Sequence, residues 1–127
     1  MPLAVLVIED EQRVARVIET VLARAGHEVL LAASLTEARR LLADEEPDVL
    51  IADFILPDGD GLAFAARLHG ERGTGVVVMS GLADLPEASE LVPLAKPFTP
   101  DQLEQAVCAA AARVARSAAG RPAATRP

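Results

Sequence analysis

Short apolar segments alternate with amphipathic segments along the chain, and this alternation restricts the fold more than any other feature. The apolar segments cover residues 3–8, 27–33, 49–52, 75–79 and 91–95. The first is a continuous run rich in β-branched residues, which is typical of a strand buried on both faces of a sheet. Strands that alternate with helices form βαβ units, so the sequence predicts a parallel sheet covered by helices on both sides.

Apolar residues recur at helical spacing between these strands. One predicted helical face comprises Val14, Val17, Ile18, Val21, Leu22 and Ala25, and Gly26 follows as a stop signal. Ser34 begins a second helix with a capping box to Glu37. A short helix over residues 62–68 follows a cap at Asp60, and Thr99-Pro100-Asp101-Gln102 begins the last helix.

Composition and charge narrow the class of protein. A chain of 127 residues fits one domain, which we place at residues 1–116, and residues 117–127 lack periodicity and predict a disordered tail. Cys108 is the single cysteine, so it forms no internal disulfide; we expect it to pack on the last helix of a cytoplasmic protein. The net charge of −7 argues against binding nucleic acid, and residues 3–8 are too few to span a membrane.

Polar residues follow four of the predicted strands at the point where each strand ends. Glu9, Asp10 and Glu11 follow the first strand, Asp53 the third, Ser80-Gly81 the fourth and Lys96-Pro97 the fifth. Ligands of an open parallel sheet bind beyond the carboxyl ends of its strands. If these four strands are neighbours, acids, a hydroxyl and a lysine meet in one pocket.

Clustered acids need a compensating cation. Two carboxylates about 4 Å apart repel by roughly 4 kcal/mol at an effective dielectric near 20. The candidate ligands are hard oxygens without histidine or cysteine, which favours Mg²⁺, with Mn²⁺ as the alternative. Lys96 offsets the remaining negative charge, and Ser80 offers a hydroxyl to a bound anion. A carboxylate nucleophile, a divalent metal, a lysine and a hydroxyl are the parts needed for phosphoryl transfer to an aspartate.

Residues 3–116 resemble the receiver domain of two-component response regulators. The matching residues are Glu9-Asp10, Asp53, Leu56-Pro57, Gly61, Ser80-Gly81 and Lys96-Pro97-Phe98. The resemblance implies an α/β fold of the flavodoxin-like, doubly wound type, with five parallel strands in the order 2-1-3-4-5. It also implies a phosphorylation switch or relay that catalyses only its own phosphorylation and dephosphorylation.

The resemblance assigns a role to each matching position. Asp53 is the expected phosphoacceptor, Ser80 the switch hydroxyl, and Lys96 the phosphate contact, preceding a cis bond to Pro97. The expected Mg²⁺ ligands are Asp10, Asp53, Glu9 directly or through water, and the backbone carbonyl of Ile55. The expected partners are a sensor histidine kinase or histidine phosphotransfer protein and an unknown output protein, with the chain itself a monomer or weak dimer.

Two departures from the family pattern keep other functions open. Residues 82–92 contain a proline and little periodicity, so the fourth helix should be short, irregular or absent, and Pro93 stands where receivers usually carry an aromatic residue. A phosphorylation-independent interaction module is therefore the main alternative. An aspartyl-phosphate hydrolase and a flavin carrier are further alternatives, and both match the sequence pattern less well. The lone His27 and His69 are expected to be structural.

Overall fold

The strands and helices of the chain alternate as expected in a computed structural model that describes residues 2–81 and 91–119. In chain order its elements are β1 (Ala4–Ile8), α1 (Gln12–Arg24), β2 (Glu28–Ala32), α2 (Leu35–Leu42), β3 (Val49–Asp53), β4 (Ile55–Leu56), β5 (Gly59–Asp60), α3 (Gly61–Arg72), β6 (Gly75–Ser80), β7 (Leu91–Ala95) and α4 (Pro100–Ala119). The sequence also predicts that the helix between β6 and β7, the fourth helix of the family pattern, is short, irregular or absent. That prediction concerns residues 82–92, most of which lie outside the described residues.

Five of the strands form one parallel sheet in the order β2-β1-β3-β6-β7. Strands β4 and β5 form a separate two-stranded antiparallel ribbon, so β6 and β7 are the fourth and fifth strands of the sheet. The observed order therefore confirms the predicted fold and strand order. The register aligns the strand ends: Ile8 pairs with Ala52, Asp53 with Met79, and Ser80 with Ala95. The residues that follow these strands therefore emerge side by side at one edge.

Aliphatic side chains fill both faces of the sheet. Alternate residues of the central strands enter opposite layers, so that Val5 and Val7 pack with α1 and α4, whereas Leu6 and Ile8 pack with α2 and α3. Every residue of β6 is buried, as are Val49–Ala52 of β3. Burial on both faces explains why these strands read as continuous apolar runs in the sequence.

Helix α1 corrects part of the predicted apolar face. It buries Ala15, Ile18 and Leu22, whereas Val17 is 54% exposed and Ala25 is an exposed C-cap residue. Val17 is next to Ile18 in the chain, and one step around a helix turns a side chain by about 100°, away from the core. Gly26 ends the helix at a φ of +93°, as predicted.

Two helices are longer than the sequence pattern indicates. Helix α3 extends to Arg72 and ends at Gly73 in a left-handed conformation, although periodicity predicts an end at residue 68. Helix α4 runs to Ala119, past the predicted domain end at residue 116, because its alanine-rich sequence favours helix. Residues 120–127 lie outside the description. Cys108 is exposed on α4, so the expectation that it packs was wrong.

The predicted capping residues hold the helix N-termini. Ser34 Oγ accepts from Glu37 N at 3.2 Å, while the Glu37 carboxylate reaches back to Ala33 N at 2.6 Å, one residue before the usual partner. Thr99 and Gln102 form a reciprocal capping box with distances of 3.1 Å and 2.9 Å.

Both histidines have structural partners, as expected. His27 Nδ1 accepts from Leu3 N at 3.0 Å, and its Nε2 lies 3.2 Å from Glu104. His69 Nδ1 lies 3.0 Å from the Thr74 carbonyl oxygen, next to the end of α3. Within residues 2–81 and 91–119, no helix has the length and apolar character needed to cross a membrane.

Substituting the Thr99 cap tests whether α4 depends on it. We expect Thr99→Ala to lower the free energy of unfolding by about 1 kcal/mol, because Gln102 N loses its acceptor. Urea denaturation followed by far-ultraviolet circular dichroism measures the change. Thr20→Ala, on the exposed side of α1, is the matched control and should cause no loss. Equal stability of Thr99→Ala and the parent chain would contradict the capping role.

Candidate functional site

The carboxyl ends of four neighbouring strands bring the predicted residues together. Asp53 is the last residue of β3, Glu9 follows β1, and Lys96 follows β7. Backbone hydrogen bonds extend the sheet ladder past these ends: Glu9 N donates to Ala32 O at 3.0 Å, and Lys96 N donates to Ser80 O at 2.8 Å. The Lys96-Pro97 bond is cis, as the resemblance to receivers implies.

Lys96 is the centre of the site. Its Nζ donates to Glu9 Oε2 at 2.8 Å and to Asp53 Oδ2 at 3.0 Å. The exposed fractions of the three side chains are 1% for Glu9, 15% for Asp53 and 23% for Lys96. The lysine therefore bridges a buried acid on one strand and a partly accessible acid on the next, which leaves Asp53 open to a reactant.

Three acids converge beside this lysine. Glu9, Asp10 and Asp53 can each offer a carboxylate oxygen such that the three oxygens lie within 4.8 Å of one another. Glu9 is buried, Asp53 half-buried and Asp10 exposed. Carboxylate oxygens at this spacing suit a hard divalent cation such as Mg²⁺, so the predicted ligands fit the predicted metal. The roles of the Ile55 carbonyl and of buried Ser80 stay predictions.

Burial and charge set the ionisation of the site. Desolvation raises the pKa of Glu9 above its ordinary value of 4.5, although hydrogen bonds from Lys96 and Glu11 N act in the opposite direction. Burial also acts to lower the pKa of Lys96, but its hydrogen bonds to Glu9 and Asp53 outweigh this effect and leave the pKa raised. The ammonium group is shared between two acids, so Lys96 stays charged while ionised Glu9 is the costly partner.

Gly61 matches the receiver pattern in the sequence, but no role at the site was predicted for it. A Cβ at this position would overlap the Asp53 carbonyl oxygen and would lie 2.9 Å from the Asp53 carbonyl carbon. Gly61 N donates to Phe54 O at 3.0 Å. The start of α3 thus packs directly on the backbone of Asp53, and the absence of a side chain makes this approach possible. The Asp60-Gly61 pair at the start of a predicted helix is the local sequence signal at this position.

The segment between Asp53 and α3 contains a short antiparallel ribbon. Ile55 pairs with Asp60 and Leu56 with Gly59 in the β4–β5 ribbon, and the Ile55 side chain is 66% exposed beside the site. Asp60 Oδ1 accepts from Leu62 N and Ala63 N at 2.9 Å and 3.2 Å, which confirms it as the α3 cap. We call residues 54–60 the acceptor loop.

Comparison with known proteins agrees with this arrangement. Residues 5–108 match the family described as response regulator receiver domain. The chain belongs to this family. The match covers the strands, the acid cluster and Lys96, so the receiver domain is the unit to which the site belongs.

Individual relatives show the same likeness. The chain is 29% identical over 116 residues to the probable transcriptional regulator ycf27 of Porphyridium aerugineum, covering 87% of this chain and 48% of that protein. The receiver thus spans about half the length of the curated relatives it matches first.

Solved structures extend the comparison. A candidate response regulator from Chloroflexus aurantiacus is 32% identical, with a TM-score of 0.79 over 88% of this chain and 99% of that one. The signal receiver domain of an HD domain-containing protein from Pseudomonas fluorescens has a TM-score of 0.81 over 91% of this chain and 99% of that one; at 23% identity it shows the fold alone.

Gly61→Ala tests the close approach to Asp53. We expect it to destabilise the receiver by about 1–3 kcal/mol, because the new methyl group forces the backbone of Asp53 or α3 to move. Urea denaturation measures the loss. Gly70→Ala is the matched control: it lies in the same helix with nothing within 4 Å of the added Cβ, and should gain about 0.5–1 kcal/mol. Similar effects of the two substitutions on stability would contradict the close approach of Gly61 to the Asp53 backbone.

Glu9 predicts a pH dependence of stability in metal-free buffer. A carboxyl group whose pKa is higher in the folded than in the unfolded state favours folding at low pH, and that stability is lost as the pH rises from about 4.5 through the folded value. The stability of Glu9→Gln relative to the parent should therefore increase with pH over this interval. Denaturation curves collected across it with a chelator present measure the difference. If the stability of Glu9→Gln relative to the parent falls as the pH rises, the pKa of Glu9 is not raised by burial in the folded state.

Proposed function

We propose that this receiver takes a phosphoryl group onto Asp53 in an Mg²⁺-dependent reaction and acts as a phosphorylation switch or relay. One observation carries the proposal: a lysine donates to Asp53 and Glu9 while three carboxylates converge within 4.8 Å at the strand ends. Family membership supports it, because the matched residues include every member of this constellation.

Each residue has a physical task in the proposed reaction. A carboxylate oxygen of Asp53 attacks phosphorus, the acyl phosphate O–P bond forms, and the P–N bond of a phosphohistidine breaks, leaving its electron pair on the imidazole. Asp53 suits this task because its side chain is partly accessible, whereas Glu9 is enclosed. Glu9, Asp10 and Asp53 would hold Mg²⁺, which when bound neutralises charge on the phosphoryl oxygens.

Lys96 and Ser80 would receive the new phosphoryl group. Lys96 Nζ lies 3.0 Å from Asp53 Oδ2, so a phosphoryl group on Asp53 would lie close to the Lys96 ammonium group. The raised pKa of Lys96 keeps this ammonium group charged. Ser80 ends β6 beside Ala95, and its hydroxyl is the proposed switch group that moves toward the phosphate. Turnover of this kind is limited to the protein's own phosphorylation and dephosphorylation.

The partners follow from the same chemistry. The phosphodonor is a sensor histidine kinase or a histidine phosphotransfer protein, and the site is expected to work in the cytoplasm. The matched regions cover 48% and 36% of two relatives that are named as transcriptional regulators, so most of each of those proteins lies outside the match. With a net charge of −7, we expect this domain to signal through protein contacts as a monomer or weak dimer rather than to bind nucleic acid.

Pro93 favours one alternative function. It is exposed on β7, at the place where receivers usually carry an aromatic residue, and the chain contains no tyrosine. A receiver without that residue could present its surface to a partner without phosphorylation. The same phosphorylation experiment separates the two functions.

Incubation with acetyl phosphate and Mg²⁺ tests the proposed function. We expect the intact mass of the parent chain to increase by one phosphoryl group, and the increase to vanish with a chelator or in Asp53→Ala, because the nucleophile is lost. Asp101→Asn, an exposed acid at the start of α4, is the control and should be modified like the parent. An unchanged parent mass, with a known receiver modified in parallel, would favour the interaction module.

A further inference from the structure

We infer that Asp58 is a positioning residue that fastens the acceptor loop to the N-terminus of α2 and thereby orders the metal and phosphoacceptor site. This inference rests on the proposed function and deepens it. Asp58 lies at the turn of the β4–β5 ribbon, five positions after Asp53, and none of its contacts is with the acid cluster itself.

The carboxylate of Asp58 binds the first turn of α2 through both oxygens. Oδ1 accepts from Leu35 N at 2.9 Å, and Oδ2 accepts from Thr36 N at 3.0 Å and from Thr36 Oγ1 at 2.8 Å. Ser34 caps the next amide, that of Glu37. The first three amides of α2 are thus satisfied by two residues from different segments, and an anion from the acceptor loop faces the positive end of the helix.

Packing reinforces the same contact. A Cβ added to Gly59 would lie 2.7 Å from Leu35 Cδ1, so the ribbon backbone already rests on the Leu35 side chain, which is buried in the core. The hydrogen bond from Leu35 N, followed by that from the Thr36 hydroxyl, lowers the pKa of Asp58 and keeps the carboxylate ionised. Polar and apolar contacts thus fasten the loop at one place.

The acceptor loop needs such an anchor because its own structure is small. The ribbon has two residues in each strand, and an isolated hairpin of this size is not stable in water. Its base is closed by the Gly61 N to Phe54 O hydrogen bond, and its tip is held by Asp58. Ile55, whose carbonyl is a predicted metal ligand, lies between these two fixed points.

The same junction also holds the other half of the site. Glu9 N donates to Ala32 O at 3.0 Å, at the end of β2 and just before Ser34. Residues 32–36, which we call the β2–α2 junction, therefore bind the backbone of Glu9 on one side and the acceptor loop on the other. Fastening both to one rigid segment aligns Glu9 with Asp53, as second-layer contacts align ligands in metal sites.

The test compares two ways of uncapping α2. Asp58→Ala removes the contact between loop and helix, whereas Ser34→Ala removes a cap that belongs to the helix and leaves the loop untouched. In metal-free protein, we expect amide exchange of Gly61 to accelerate in Asp58→Ala but not in Ser34→Ala. By calorimetric titration, we expect Mg²⁺ to bind about tenfold more weakly to Asp58→Ala and unchanged to Ser34→Ala.

Further variants keep the test decisive. Asp58→Asn retains one acceptor oxygen and should give an intermediate affinity; it replaces Asp58→Ala if that variant does not fold. A phosphorylation rate in Asp58→Ala that recovers at saturating Mg²⁺ would support positioning rather than chemistry. Equal effects of Asp58→Ala and Ser34→Ala would overturn the inference and leave Asp58 as a helix cap. A parent chain that binds no Mg²⁺ and takes no phosphoryl group would overturn the proposed function, and this inference with it.

Discussion

The bridge from Lys96 to Glu9 and Asp53 is the interaction on which the candidate site of this receiver depends. Parallel strands β1 and β3 end side by side, so the acids at their carboxyl ends are brought together. Buried ion pairs contribute little net stability after desolvation, and the raised pKa of Glu9 shows that the balance is unfavourable for that group. The site is therefore better understood as a functional arrangement that the hydrophobic sheet tolerates than as a stabilising one.

The rigid sheet makes that tolerance possible. Strands β1, β3 and β6 are buried on both faces, so their ends cannot spread apart to relieve repulsion without exposing aliphatic core. Gly61 adds a second restraint by letting α3 rest on the Asp53 backbone. Asp53 is thus held by covalent, ladder and packing contacts at once, while its carboxylate keeps access to solvent.

Periodicity and cap residues predicted the strands of the sheet and the caps at Ser34, Asp60 and Thr99. The sheet order was implied by the resemblance to receivers, and with that order the strand-end residues Glu9, Asp10, Asp53 and Lys96 were expected to converge. These features are local in sequence or follow from the geometry of parallel sheets. The exposure of Val17 was missed because periodicity alone does not show how wide the buried stripe is. The roles of Gly61 and Asp58 depend on which backbone segment lies opposite each of them, and a single sequence does not show which segments pack together.

The free-energy cost of ionised Glu9 and the proposed affinity for a cation arise from the same negative charge. A ligand that binds the folded state alone stabilises it by an amount that grows with the logarithm of its concentration over Kd. Negative charge that is costly without Mg²⁺ would contribute binding free energy if Mg²⁺ binds as proposed, and a phosphoryl group on Asp53 would alter that balance again. A nearly complete population shift requires about 5.5 kcal/mol of differential stabilisation. Contacts of a new phosphate with Lys96 and Ser80 are the proposed source, since both residues are already held at the strand ends.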